Sequence, residues 1–197
     1  PISKTVSVMD ICTLNINGTQ LFWNNVAYAS SYNVIIDGEI VANTSNNYLD
    51  LSTLSNYDEM LNRADYYSIN VDPIMSEVAD VLKTNSLGET KYFNRLVEPT
   101  ISANNNQISW SGADSTSYSL TITGNDYNFK TNTTLTSLSL NNYEAGDYTI
   151  TIQSLGGTQI VDGKTVYMLP SPIASLNITK QNTVDETSVE IEDYVLS

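Results

Sequence analysis

The chain contains one pattern of aromatic and alternating residues twice. The first copy spans residues 20–71 and the second spans residues 107–152, and each ends in alternating apolar and polar residues, which is typical of a strand with one buried face. A repeat of this length is a whole small domain, so the pattern predicts a duplicated domain. We interpret the aromatic residues at equivalent positions as core residues. They are Trp23 with Trp110, Tyr32 with Tyr118, and Tyr67 with Tyr148.

The length of 197 residues accommodates two such domains and a remainder. We place the first domain at residues 1–97 and the second at 98–171. The joint between them contains Pro99, so the domains should lie end to end with limited freedom. Residues 172–197 form a C-terminal β extension, which is the start of a further domain, a hairpin on the second domain or a strand donated to a neighbour. Donation would allow self-association.

Short strands separated by turn residues predict a β-sandwich for each domain. The second domain shows about seven strands, the last at residues 159–168, with turn residues such as 104–106, 124–126 and 144–147 between them. In the first domain, Asp72 and Pro73 resemble a helix start, and apolar residues follow at helical spacing up to Leu82. We therefore expect a short helix at 73–83, with an extended, bulged segment as the alternative.

The second domain carries residues that are typical of a known repeat family. Trp110 ends a predicted second strand, Tyr118 begins the third, and Ala145-Gly146-Asp147-Tyr148 leads into a strand of alternating Thr and Ile. These positions resemble the fibronectin type III group of bacterial and phage immunoglobulin-like repeats. The first domain departs from the pattern, because residues 63–67 replace the Ala-Gly turn.

The resemblance implies an all-β fold of two tandem immunoglobulin-like (fibronectin type III-like) sandwiches. Members of the group serve mostly as spacers, adhesion modules, carbohydrate-binding appendages or virion decorations. The fold by itself does not assign a function, because this architecture carries many unrelated activities.

Charge excludes several classes of partner. The formal net charge is −14, and the eight basic residues are scattered singly along the chain. Nucleic-acid binding needs a basic surface that neutralises phosphates, so neither nucleic acid nor an anionic membrane surface is expected as a partner. No apolar run is long enough for membrane insertion. Cys12 is the only cysteine, so an intrachain disulfide is excluded, and we interpret it as a core residue.

The residue types that support catalysis are scarce. The chain has no histidine, which removes the usual general base and most zinc sites, and it has no glycine-rich phosphate loop. Acidic residues fall mostly in turns, where turn geometry explains them, and no acidic loop has calcium-binding spacing. We therefore predict no enzymatic activity, no catalytic residues, no cofactor and no metal.

Several tyrosines have no equivalent in the other repeat. Exposed tyrosines stack on sugars or anchor protein interfaces, so they are candidate partner contacts. The candidates are Tyr28, Tyr57, Tyr127, Tyr143 and Tyr194.

We expect a non-enzymatic structural or adhesive protein of an extracellular assembly, whose partners are other proteins of that assembly, with glycans as a further class of partner. It is either a phage virion protein (a head or tail decoration) or a segment of a bacterial cell-surface protein. A start at Pro1 without a leader sequence favours the virion. The alternative is a carbohydrate-binding module, which predicts coplanar exposed tyrosines on one sheet face.

Overall fold

The computed structural model describes residues 7–60, 63–75, 81–82 and 88–181. In these residues the chain forms strands, with two 3-10 turns in its first half. None of the described residues belongs to a helix long and apolar enough to cross a lipid bilayer.

The first sandwich packs a three-stranded sheet against a larger one. The small sheet has the order β2-β3-β6, and β5-β4-β7-β9 are neighbours in the large sheet. Residues alternate between the core and the surface, as on β4, where Tyr32, Val34 and Ile36 are buried. Two short strands, β1 and β8, pair in parallel and form a separate two-stranded sheet. The strands are β1 (Ser7–Val8), β2 (Leu14–Asn17), β3 (Gln20–Trp23), β4 (Ala29–Ile36), β5 (Glu39–Thr44), β6 (Tyr48–Asp50), β7 (Tyr67–Met75), β8 (Val81–Leu82) and β9 (Lys91–Arg95).

The second sandwich repeats this arrangement. Its three-stranded sheet has the order β10-β11-β14 and its four-stranded sheet the order β13-β12-β15-β18. In each half of the chain, a three-stranded sheet thus packs against a sheet in which four strands follow in the same order, β5-β4-β7-β9 in the first and β13-β12-β15-β18 in the second. This confirms the prediction of two fibronectin type III-like sandwiches. The strands are β10 (Thr100–Asn104), β11 (Gln107–Ser111), β12 (Tyr118–Gly124), β13 (Tyr127–Thr133), β14 (Ser137–Ser139), β15 (Gly146–Ser154), β16 (Gly157–Val161), β17 (Lys164–Leu169) and β18 (Ile173–Lys180).

A hairpin of the second sandwich joins the sheet of the first. Strands β16 and β17 lie between β15 and β18 in sequence, but β17 pairs in parallel with β9, from Val166 opposite Tyr92 to Leu169 opposite Arg95. The result is a six-stranded sheet with the order β16-β17-β9-β7-β4-β5. One continuous sheet therefore crosses the boundary between the two sandwiches. We call β16, β17 and their turn the junction hairpin.

The structure differs here from the predicted use of the C-terminal strands. Residues 159–168 lie in the junction hairpin. The last strand of the second sandwich is instead β18, which pairs with β15, with Lys180 opposite Gly146 at one end and Ile173 opposite Gln153 at the other. Of the stretch considered for donation to a neighbour, residues 173–180 are thus paired within their own chain and belong to the second sandwich. Alternation reports that a strand has one buried face, but not which sheet it joins. Residues 182–197 lie outside the described part.

The helical segments of the first sandwich are two 3-10 turns, Leu51–Thr53 and Tyr57–Glu59, which are compatible with a short inserted helix. They precede the place that we predicted. Pro73 and Met75 belong to β7, and Val81–Leu82 form β8, while 76–80 lie outside the described residues. Pro73 lies opposite Tyr32 of β4 and beyond residues 67–69, where β7 pairs with β9, so its missing N–H costs no hydrogen bond to β9.

Candidate functional site

The repeated aromatic residues occupy equivalent places inside the two sandwiches. Trp23, Tyr32, Trp110, Tyr118 and Tyr148 are buried, and Tyr67 is half-buried against the first core. Each tryptophan ring meets the following tyrosine edge-on, at centroid distances of 5.4 Å and 6.3 Å. The hydroxyls make the same bond: Tyr32 accepts from the N–H of Val26 (3.1 Å) and Tyr118 from that of Gly112 (3.2 Å). These residues hold the sandwiches together and leave only outer surfaces for partners.

The candidate contact tyrosines do not form one surface. Tyr28 is 46% exposed in the first sandwich, Tyr127 and Tyr143 lie together in the second, and Tyr194 lies outside the described residues. The prediction for Tyr57 is corrected, because only 8% of it is exposed. Its 3-10 turn directs the ring inward, where the Arg95 guanidinium packs 4.1 Å from the ring centre.

Tyr127 and Tyr143 line an open cleft at one end of the second sandwich, with a volume of about 490 Å³. The ring of Tyr143 is nearly perpendicular to that of Tyr127 (79°, 5.4 Å between centroids) and to that of Tyr148 (84°, 5.8 Å). Carboxylates and side-chain amides complete the lining. We call this site the tyrosine cleft, and its residues are Asn125, Asp126, Tyr127, Asn142, Tyr143, Glu144 and Tyr148.

Two rigid corners of the backbone position the cleft. In the hairpin turn between β12 and β13, Asn125 and Asp126 both have positive φ (50° and 60°), as the tightest hairpin turns require. In the other corner, the hydroxyl of Tyr148 donates to the backbone oxygen of Glu144 at 3.1 Å, which is the tyrosine corner of immunoglobulin-like sandwiches. The Asn125 amide joins the corners by donating to Ala145 O and Glu144 Oε2, each at 3.4 Å.

The cleft carries two carboxylates, those of Asp126 and Glu144. Among the residues that the structure describes, neither Asp126 nor Glu144 forms an ion pair. Partial burial, followed by the neighbouring Tyr127, raises the pKa of the Tyr143 phenol, so this ring stays neutral at physiological pH. The cleft therefore presents neutral aromatic faces beside two carboxylates.

The equivalent corner of the first sandwich is filled by a basic side chain. Arg63 lies four residues before Tyr67, as Glu144 lies four residues before Tyr148. Its guanidinium binds Asp37 in the β4–β5 turn (2.6 Å) and Asp65 (3.2 Å), and lies 4.5 Å from the centre of the Tyr67 ring. In the first sandwich, one arginine thus occupies the space between the hairpin turn and the corner before β7.

We call Arg63 with Asp37, Asp65 and Tyr67 the arginine corner, and it predicts that the first sandwich is sensitive to acid. Partial burial would raise the pKa of the Asp37 carboxyl, but hydrogen bonds from Ser68 and from Arg63 outweigh it and hold the pKa below its ordinary value of 3.8. A group with a depressed pKa stabilises the fold above its unfolded pKa, and that contribution is lost as the pH falls through the folded pKa. We expect the free energy of unfolding of the first sandwich to fall below about pH 4, and to fall less in Asp37→Asn. Urea unfolding at a series of pH values measures both, and equal slopes would contradict the prediction.

The junction hairpin contacts the first sandwich through apolar and aromatic groups. Leu96, Val166 and Met168 form a buried cluster, against which Tyr66 and Tyr92 pack. The Lys164 ammonium lies over both rings, 4.7 Å and 4.4 Å from their centres, and donates to the Tyr66 hydroxyl at 2.6 Å. Leu169 packs in the core of the first sandwich although it precedes a strand of the second. The two sandwiches therefore share side chains as well as a sheet.

The described part of the chain shows no cluster of metal-ligating side chains. No three His, Cys, Asp or Glu side chains there lie close enough to hold a metal ion. Burial, with a contribution from Asp72, raises the pKa of the Cys12 thiol to about 11, so the thiol is protonated and unreactive at neutral pH.

Comparison with protein-family models gave no match, and comparison with curated proteins gave no significant match. Among solved structures, the FN1–FN3 domains of chicken CNTN1 align at 13% identity and a TM-score of 0.32, covering 89% of this chain and 68% of that chain. The central fibronectin-III array of RIM-binding protein aligns at 14% identity and a TM-score of 0.25, covering 90% and 70%. These TM-scores are low, so the fold assignment rests on the strand order and register of the chain itself.

Proposed function

We propose that this chain is a rigid, non-enzymatic structural or adhesive module of an extracellular assembly, which holds the outer faces of its two sandwiches in a fixed relation. The observation that carries the proposal is the junction hairpin, because it makes one sheet continuous across both sandwiches. Domains joined only by a short linker move relative to one another by default. Here, a rotation between the sandwiches would break the β9–β17 register.

Side chains resist the same motion. Separating the sandwiches would expose Leu96, Val166 and Met168, and would withdraw Leu169 from the first core. Exposure of a large apolar side chain costs about 1.5–3 kcal/mol, so the open arrangement is strongly disfavoured. A protein that spaces or positions partners needs this stiffness, whereas a protein that closes around a ligand needs freedom at this joint.

Within this proposal we place the chain in a phage virion or on a bacterial cell surface, on the resemblance of its sequence to such repeats. Antibodies against the protein, applied to purified particles and to intact cells, distinguish the two locations. A flat sugar platform would need coplanar exposed rings, whereas the rings of the tyrosine cleft are nearly perpendicular, so glycan binding stays a prediction without structural support.

Shortening the junction hairpin tests the proposed rigidity. Gly157 and Met168 are register partners, so Asn-Gly in place of residues 158–167 still closes a turn. The replacement removes the Val166–Tyr92 and Tyr167–Phe93 pairs with β9 and the Lys164 contacts, and keeps the Met168–Asn94 and Leu169–Arg95 pairs. We expect both sandwiches to stay folded and their relative orientation to become variable. Residual dipolar couplings should then fit a separate alignment tensor for each sandwich, where the unaltered protein fits one.

A matched control inserts Asn-Gly into the turn between β10 and β11, which lies away from the joint. This variant should keep the single tensor of the unaltered protein. Two independent tensors in the unaltered protein, or one tensor in the shortened variant, would contradict the proposal. Small-angle scattering gives a second reading, because a variable orientation broadens the distance distribution.

A further inference from the structure

The tyrosine cleft and the arginine corner are the same place in two copies of one domain, with opposite charge at the equivalent position. In the first sandwich that position is Arg63, whose guanidinium lies on the Tyr67 ring between Asp37 and Asp65. In the second it is Glu144, and the cleft beside it holds aromatic faces and carboxylates. The second copy thus keeps an acidic residue in the hairpin turn, Asp126, but has no arginine at the position of Arg63. Tyr148 is buried beneath Tyr143, so the rings that the cleft offers to a ligand are those of Tyr127 and Tyr143.

We propose that the tyrosine cleft binds the guanidinium group of an arginine side chain presented by a partner protein. The inference rests on the proposed function, because it names the chemistry by which such a module would hold its partner. The first sandwich shows that this corner of the fold accepts a guanidinium between a turn carboxylate and the tyrosine of the following strand.

The chemistry of the cleft favours this ligand. A planar guanidinium stacks on aromatic faces and binds carboxylates with paired N–H groups. It is also more weakly hydrated than an ammonium group, so its transfer from water to a binding site costs less free energy. Two nearly perpendicular rings allow stacking on one wall while the N–H groups reach the acidic rim. The net charge of −14 adds attraction for a basic partner at long range.

Binding of a short peptide tests the proposal on the full chain. The probe is acetyl-Gly-Arg-Gly-amide, and its control contains citrulline, which has nearly the same shape but no charge. We expect the arginine peptide to shift the ring signals of Tyr127 and Tyr143 in NMR spectra, with a dissociation constant on the order of 1 mM. The citrulline peptide should bind at least about tenfold more weakly. Equal binding of the two peptides, or shifts confined to other residues, would overturn the proposal.

Three variants and one control locate the site. Glu144→Gln and Tyr127→Leu should each weaken binding about three- to fivefold, while the tyrosine corner survives in Glu144→Gln because it uses the backbone oxygen. Asp162→Asn in the junction hairpin is the matched control for the lost charge and should bind as the unaltered protein does. Glu144→Arg places a guanidinium at the position of Arg63 and should abolish peptide binding by filling the cleft. Unchanged binding in Glu144→Arg would overturn the proposal.

The experiment separates this inference from the proposed function. The tyrosine cleft lies in the second sandwich alone, so the shortened-hairpin variant should bind the peptide normally. Peptide binding in a chain that proves flexible would refute the rigid-module proposal and leave the cleft assignment standing. A rigid chain that does not distinguish arginine from citrulline would refute the cleft assignment only.

Discussion

Leu169→Ala is expected to destabilise the first sandwich by about 2–5 kcal/mol and to leave the second nearly unchanged. Leu169 is fully buried, and its side chain belongs to the core cluster of the first sandwich. In the sequence, however, it lies between two strands of the second. Its backbone oxygen also accepts a hydrogen bond from the N–H of Leu96 (3.1 Å), which ties it to the joint. Removing its branched side chain leaves a cavity in the core of the first sandwich, whereas β15 and β18, which flank it in the sequence, contribute to the core of the second.

Native-state hydrogen exchange measures this effect because it reports the opening free energy of each sandwich separately. Amides of β4 should lose protection in Leu169→Ala, and amides of β12 should keep it. The matched control is Leu140→Ala, which removes an equally buried leucine from the core of the second sandwich and should affect β12 first. Greater loss of protection in β12 than in β4 for Leu169→Ala would show that the junction hairpin contributes mainly to the sandwich from which it extends.

The fold class could be predicted from the sequence because its signals are local. Trp23 and Trp110, with the alternating strands that follow, mark the core of each sandwich wherever the strands finally pair. Sheet membership is not a local property. Residues 159–168 and 173–180 are both predicted as strands, and only the pairing of β17 with β9 shows that the first stretch leaves its own sandwich.

The candidate site was half predictable for the same reason. Tyr127 and Tyr143 are identified by having no equivalent in the other repeat, but Asp126 and Glu144 read as ordinary turn residues. Counting back from the repeated tyrosines offers a signal, since the fourth residue before Tyr67 is arginine and the fourth before Tyr148 is glutamate. The reversal of charge predicts a binding site only together with the structure, which shows the groups that surround Arg63 and Glu144.

Gly124→Ala is expected to destabilise the second sandwich by about 2–5 kcal/mol, combining backbone strain with a collision that cannot relax. Gly124 has φ of +135°, which L-residues rarely adopt, and a β-carbon there would lie 2.1 Å from the backbone oxygen of Asp147. The close approach of these two backbones is what sets the β12–β13 turn against the corner before β15. Chemical denaturation followed by circular dichroism measures the loss.

Two other glycines separate the two causes. Gly163 has φ of +76° with open space around it, so Gly163→Ala carries strain without a collision and should cost about 1 kcal/mol. Gly157 has neither constraint, so Gly157→Ala should change stability by less than about 0.5 kcal/mol.

If Gly124→Ala costs no more than Gly163→Ala, the backbones of Gly124 and Asp147 separate easily. The wall that these two backbones give the tyrosine cleft would then not be rigid, and Gly124→Ala should leave arginine-peptide binding intact. If the wall is rigid, the same substitution should weaken that binding together with stability.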